Sequence, residues 1–217
     1  KDVNKQFAKI LGINKAARTT TIKPSGSAAT VLGCSSGIHA WHDPYYIRRV
    51  RVNKNESIYN YLYYNHPELV KDEYFNPSHT AVIEVPIKAP EGSIYRHEYP
   101  IELLERVKRV KKDRINEGHV SGINTHNVSV TVSIKDEEWQ TVGEWMRNNR
   151  DYYNGISVLP YDGGSYIQAP FESITEEQYI ELEKHICDID LTQVVELEDH
   201  TDLSGELACS AGGCEII

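Results

Sequence analysis

The chain has 217 residues, 40% of them hydrophobic and 25% charged, which is the composition of a globular protein. Its net charge of -9 argues against a general nucleic-acid or membrane binder, since either would need a basic face. No run approaches the roughly 18 apolar residues of a membrane span, no signal peptide is evident, and four cysteines are too few for a disulfide framework, so a reducing cytoplasm is expected.

The sequence opens at Lys1 without a methionine, as expected of a fragment or a processed product. The stretch DVNKQFAKILGI predicts a short amphipathic helix ending near Gly12. RTTTIK is a β-rich run broken by Pro24 and followed by the small residues SGSAATVLG. IRRVRV alternates as a half-buried strand does, with Val50 and Val52 on one face and Arg49 and Arg51 on the other. ESIYNYLYYN predicts a helix limited by Pro67. In TAVIEVPIK, Ala81, Ile83, Val85 and Ile87 alternate, but Pro86 demotes the run to an edge or a strand end.

Pro100 suits the first position of a helix carrying Leu103, Leu104, Val107 and Val110 on one face and stopping at Gly118. NVSVTVSI is the cleanest strand, with Val128, Val130, Val132 and Ile134 on one side. Asp136 can cap a helix in which Trp139, Val142 and Met146 recur. GISVLP is a short strand ended by YDGG, and Thr175 with Gln178 makes a capping box for a last helix bearing Tyr179, Leu182 and Ile186. After about Asp188 the chain is acidic and aperiodic, as a mobile tail is. The fold class is α/β, one compact domain plus a tail.

Two features could carry chemistry. In ELACSAGGCEII, Cys209 and Cys214 enclose four small residues that let the thiols meet at low steric cost. Such a pair can cycle between dithiol and disulfide if it reaches both a buried oxidised site and an external reductant. Incidental cysteines on a disordered end and a zinc site are the alternatives, although the spacing is not that of a zinc pair. The second feature is TTTIKPSGSAATVLG, where a β-run gives way through Pro24, Ser25 and Gly26 to a helix beginning near Ser27. Backbone N–H groups at a helix start beside small hydroxyl residues suit phosphate, while a plain turn is the simpler reading. Cys34 and Cys187 read as buried or partly buried thiols. His39 and His42 have metal-like spacing but no third ligand. The basic run RVKRVKKDR reads as a solvated helix face, and the tyrosine pairs at Tyr45, Tyr63 and Tyr152 as packing.

Taken together, TTIKPSGSAATVLGCSSGIHAWHDPYYIRRVRV, NVSVTVSIKDEEWQTVGEWM, GISVLPYDGGSYIQAPFESITEEQY and the terminal ELACSAGGCEI resemble, in the same order, the C-terminal part of an adenosylcobalamin-dependent (class II) ribonucleotide reductase of the ribonucleoside-triphosphate type. The terminal GELACSAGGCEII lacks the glycyl-radical motif of class III enzymes. GISVLP lacks the tyrosine pair that class I enzymes carry before the tail; Tyr152 and Tyr153 lie ahead of that strand.

The resemblance implies part of a ten-stranded α/β barrel over residues 1–188 and a mobile redox tail over residues 189–217. Pro24, Ser25, Gly26, Ser27 and Ala28 would hold the substrate's phosphates. Cys209 and Cys214 would re-reduce the active-site disulfide and be reduced in turn by thioredoxin. Adenosylcobalamin would be bound mainly by an N-terminal portion, which would also supply the radical-bearing cysteine, because no cysteine precedes Cys34. This chain alone is therefore not expected to reduce nucleotides. A non-catalytic phosphate-binding or regulatory module of the same fold, a class I fragment and a free-standing dithiol oxidoreductase are the competing expectations; the last would hold its thiols on a rigid turn.

Overall fold

In the computed structural model, residues 1–161, 163, 166–186 and 188–196 are described. In chain order they form α1 (Asp2–Leu11), α2 (Ser27–Val31), β1 (Tyr45–Asn53), α3 (Ser57–Asn65), β2 (Val70–Asp72), β3 (Thr80–Lys88), α4 (Pro100–Val110), β4 (Thr131–Ile134), α5 (Trp139–Asn148), β5 (Ser157–Pro160), β6 (Phe171–Ser173) and α6 (Glu176–Glu183). A π-helical turn over Lys111–Ile115 extends α4. The architecture is mixed α/β, and the described residues fall into two compact units. Among them no helix is long and apolar enough to cross a membrane.

The first unit comprises Lys1–Ala40 and Arg96–Tyr161. Strands β4 and β5 pair in parallel, Thr131 opposite Ser157 and Ile134 opposite Pro160. Helix α5 supplies the crossover that parallel neighbours need. On the far side of this segment Ile22 bridges Val128, also in parallel. The alternation of NVSVTVSI is realised in full: Val128, Val130, Val132 and Ile134 are all buried. They meet Leu103, Leu104 and Val107 of α4 and Val142 and Trp145 of α5 in one core. Each such side chain removed from water contributes about 1.5–3 kcal/mol. Pro100 occupies the first turn of α4, and Glu102 Oε2 accepts from the Tyr99 amide at 3.2 Å.

Two details of this unit differ from the sequence reading. The cap expected at Asp136 lies one residue earlier, because the chain enters α5 through a 3-10 turn over Asp136–Glu138 and Glu138 Oε2 accepts from the Lys135 amide at 2.9 Å. That tighter entry also shifts the buried face of α5, leaving Trp139 exposed and turning Trp145 inward. The indole N–H of Trp145 is satisfied by Glu105 Oε1 at 2.6 Å.

The second unit comprises Trp41–Tyr95 and the described residues from 163 to 196. Its four strands form an antiparallel sheet in the order β2-β3-β1-β6. Pro86 sits within β3 opposite Ile47, and the lost N–H is harmless there for a geometric reason. Along β1, Arg49 N–H donates to Pro170 and Tyr45 C=O accepts from Ile174, so odd-numbered residues of β1 direct their polar groups away from β3. Ile47 and Pro86 are then a non-hydrogen-bonded pair, and the Pro86 nitrogen faces the side where β2 reaches only to Ile83. The edge character expected of Pro86 is local to that end of β3. Val82 and Pro86 are buried as well as Ala81 and Ile83, so both faces of β3 are covered rather than one, and α6 packs on β3 and β1. The capping box of α6 forms as expected: Gln178 N–H donates to Thr175 Oγ1 at 3.2 Å and Thr175 N–H to Gln178 Oε1 at 2.8 Å.

Candidate functional site

The loop of residues 24–28 begins where a tightly held extended run ends. Thr19 donates to Gly118 O from both its amide, at 2.9 Å, and its hydroxyl, at 3.0 Å. Thr20 Oγ1 donates to Arg114 O at 2.8 Å. A Cβ on Gly118 would stand 1.8 Å from Thr20 Oγ1, so the approach requires glycine. Further along, the Ser129 amide donates to Ile22 O at 3.0 Å. The run is thereby fixed to the end of α4 and to the approach of β4, and Pro24 turns the chain out of it.

Beneath the loop lies the segment Ser36, Gly37, Ile38 and His39. Ser36 Oγ accepts from the Ser25 amide at 3.0 Å and from the Gly26 amide at 3.3 Å. Gly37 has φ +64, and a Cβ there would lie 2.8 Å from Lys23 O. Two constraints therefore coincide at Gly37, a left-handed backbone and close contact with the chain entering the loop. Pro24 has no N–H and those of Ser25 and Gly26 are taken by Ser36. The amides of Ser27 and Ala28, which open α2, remain as the ones without a carbonyl partner inside the helix.

His39 ties this segment to the core. It is buried; Nδ1 lies 3.1 Å from Ser36 O and Nε2 accepts from the Thr131 amide at 3.1 Å. An amide can only donate, so Nε2 is the bare nitrogen and Nδ1 carries the proton to Ser36 O. Burial lowers the His39 pKa, opposed by the hydrogen bond to Ser36 and the charge of Glu98. Both ring nitrogens are committed to the protein. His42 is a stacking residue, its ring 5.4 Å from that of Phe171.

Cys34, read from sequence as a buried thiol, is exposed: it follows α2 in a turn where its amide donates to Ala29 O at 3.0 Å. Cys187, Cys209 and Cys214 lie outside the described residues. The basic run along the second half of α4 and its π-helical turn is less solvated than its charge suggests. Arg106 pairs with Glu98, Lys108 donates to Asn149 Oδ1 at 2.7 Å, and Lys111 is buried, its ammonium shared among Thr125, Asn154 and His126 O. Desolvation lowers the Lys111 pKa. Lys111 follows Leu104 and Val107 at helical spacing, a signal of burial that its charge obscured. Tyr45 packs on Tyr179 with centroids 5.2 Å apart, and Lys108 lies over Tyr152.

No protein-family model matches the chain. It is 27% identical over 225 residues to the adenosylcobalamin-dependent ribonucleoside-triphosphate reductase of Lactobacillus gasseri, covering 99% of this chain and 28% of that protein. It is 28% identical over 224 residues to the protein of the same name from Lactobacillus leichmannii, covering 98% of this chain and 28% of that one. The crystal structure of a B12-dependent (class II) ribonucleotide reductase superposes with a TM-score of 0.68 at 26% identity, over 85% of this chain and 25% of that one. Over nearly all its length the chain is thus similar to part of a class II ribonucleotide reductase, and it spans about 28% of the length of the curated relatives it matches.

Proposed function

We propose that the chain is the C-terminal portion of an adenosylcobalamin-dependent ribonucleoside-triphosphate reductase, contributing part of the ten-stranded barrel over residues 1–188 and a redox tail over residues 189–217. The observation that carries the reading is the similarity over 98–99% of the chain to reductases of that name. The built loop of residues 24–28, held from below by Ser36, supports a place for the substrate's phosphates. In this reading Pro24, Ser25, Gly26, Ser27 and Ala28 form the phosphate loop, with the Ser27 and Ala28 amides facing the anion.

Reduction of the ribose releases the 2′-hydroxyl as water and takes two electrons from a pair of active-site thiols, which become a disulfide. Cys209 and Cys214 would return those electrons by thiol exchange, becoming a disulfide themselves until thioredoxin reduces it. In this reading the pair passes electrons from the external reductant to the active-site disulfide.

Adenosylcobalamin supplies the radical when bound, and we assign its binding to the upstream portion. His39, the buried imidazole beside the loop, has both nitrogens engaged and offers cobalt no ligand. The assembled enzyme would work in the cytoplasm. The test is to combine this chain with the portion encoded upstream and supply adenosylcobalamin, a ribonucleoside triphosphate and reduced thioredoxin. Deoxynucleotide is expected from the mixture and from neither part alone. A folded, cofactor-bound mixture that makes no product would favour a regulatory module.

A further inference from the structure

We propose that Ser36 and His39 are positioning residues for anion binding at the loop of residues 24–28, Ser36 aiming the loop and His39 fixing Ser36 to β4. The inference rests on the phosphate reading above and adds to it the residues that set the loop's geometry.

A serine hydroxyl has two acceptor sites and one proton. Both acceptor sites of Ser36 are occupied by the Ser25 and Gly26 amides, at 3.0 and 3.3 Å. These two amides therefore point down into the protein, and the next two along the chain are left to face a ligand. Ser36 is held at its other end as well, since its carbonyl accepts from His39 Nδ1 while His39 Nε2 accepts from Thr131 in β4. Gly37, between them, lets Lys23 and Pro24 approach to contact distance. Ser36 and His39 are 9% and 8% exposed, so water competes little for these bonds. The chain of contacts runs from the most regular strand of the first unit to the loop through groups that never touch the ligand.

Such a relay acts on how well the anion is held rather than on the chemical step. The experiment uses the reductase assembled from this chain and its upstream portion, with inorganic tripolyphosphate as a competitor of the ribonucleoside triphosphate. Ser36→Ala is expected to raise both the tripolyphosphate inhibition constant and the substrate KM about tenfold, the effect of removing the acceptor that holds two part-buried amides. Its kcat should stay within about twofold, as it does when binding alone is weakened. Ser36→Thr, which keeps the hydroxyl, should recover most of the loss. An unchanged inhibition constant in Ser36→Ala would overturn the relay and leave the phosphate loop standing. Tripolyphosphate that fails to compete with the unsubstituted enzyme would overturn the phosphate reading and the relay together. Should Ser36→Ala not fold, amide exchange in the unsubstituted chain decides: Ser25 and Gly26 must exchange more slowly than Ala28 before any anion is added, and equal rates contradict the relay.

Discussion

His39 Nε2 accepts a hydrogen bond at 3.1 Å from the amide of Thr131, 92 residues later in the chain. A single imidazole thereby links the segment beneath the loop of residues 24–28 to the first residue of β4. The link has one compatible protonation state. A proton on Nε2 would face the Thr131 N–H and break the bond.

The first prediction concerns pH. Burial holds the His39 pKa below its ordinary value of 6.5, so the unfolded chain takes up the proton before the folded one does. The contribution of neutral His39 is complete above about pH 6.5 and is lost as pH falls from there toward the lowered folded value. Urea unfolding followed from pH 7.5 to 5 should show a falling midpoint, with a smaller fall in His39→Gln. An identical fall in both proteins would show that other groups govern the dependence.

Gly37→Ala should destabilise the fold by about 1–3 kcal/mol through its left-handed backbone alone, with more from the contact with Lys23 O at 2.8 Å. Gly143→Ala is the control, because nothing lies within 4 Å of its added methyl group. Gly143 sits inside α5, where alanine is favoured by roughly 1 kcal/mol. Chemical denaturation of the two variants should give opposite signs.

Lys111→Ala should cost about 1–3 kcal/mol, because it removes the buried side chain and the shared donor of part-buried hydrogen bonds to Thr125, Asn154 and His126 O. Lys112, its exposed neighbour, should tolerate alanine within about 0.5 kcal/mol. Equal effects of the two substitutions on the thermal midpoint would contradict the burial of Lys111.

In the core, Leu104→Ala should cost about 2–5 kcal/mol, as truncation of a fully enclosed leucine does. Ile123, which is 97% exposed, should lose less than about 0.5 kcal/mol on the same truncation. Equilibrium unfolding in urea separates these outcomes.

Elements governed by local chemistry were legible in the sequence. The 2-residue period of Val128, Val130, Val132 and Ile134 marked a strand whose inner face is the core. Leu103, Leu104 and Val107 marked the buried face of α4, and Thr175 with Gln178 the start of α6. What escaped depends on contacts distant in sequence. Nothing near Ser36 indicates that its hydroxyl supports two amides ten and eleven residues earlier, or that His39 meets Thr131. The charge of Lys111 hides a burial that its helical spacing from Leu104 and Val107 implies, and the π-helical turn that begins at it has no sequence signature. The cap at Asp136 shifted because a tight 3-10 turn and a regular helix start look alike in sequence.

The decisive measurement counts deoxynucleotide formed per assembled enzyme with thioredoxin as the reductant, for the unsubstituted chain and for Cys209→Ser with Cys214→Ser. If the chain is the tail-bearing portion of the reductase, the unsubstituted enzyme turns over many times and the double variant stops after about one round, since its oxidised active site has no internal reductant. Equal turnover by both would contradict the shuttle role of Cys209 and Cys214.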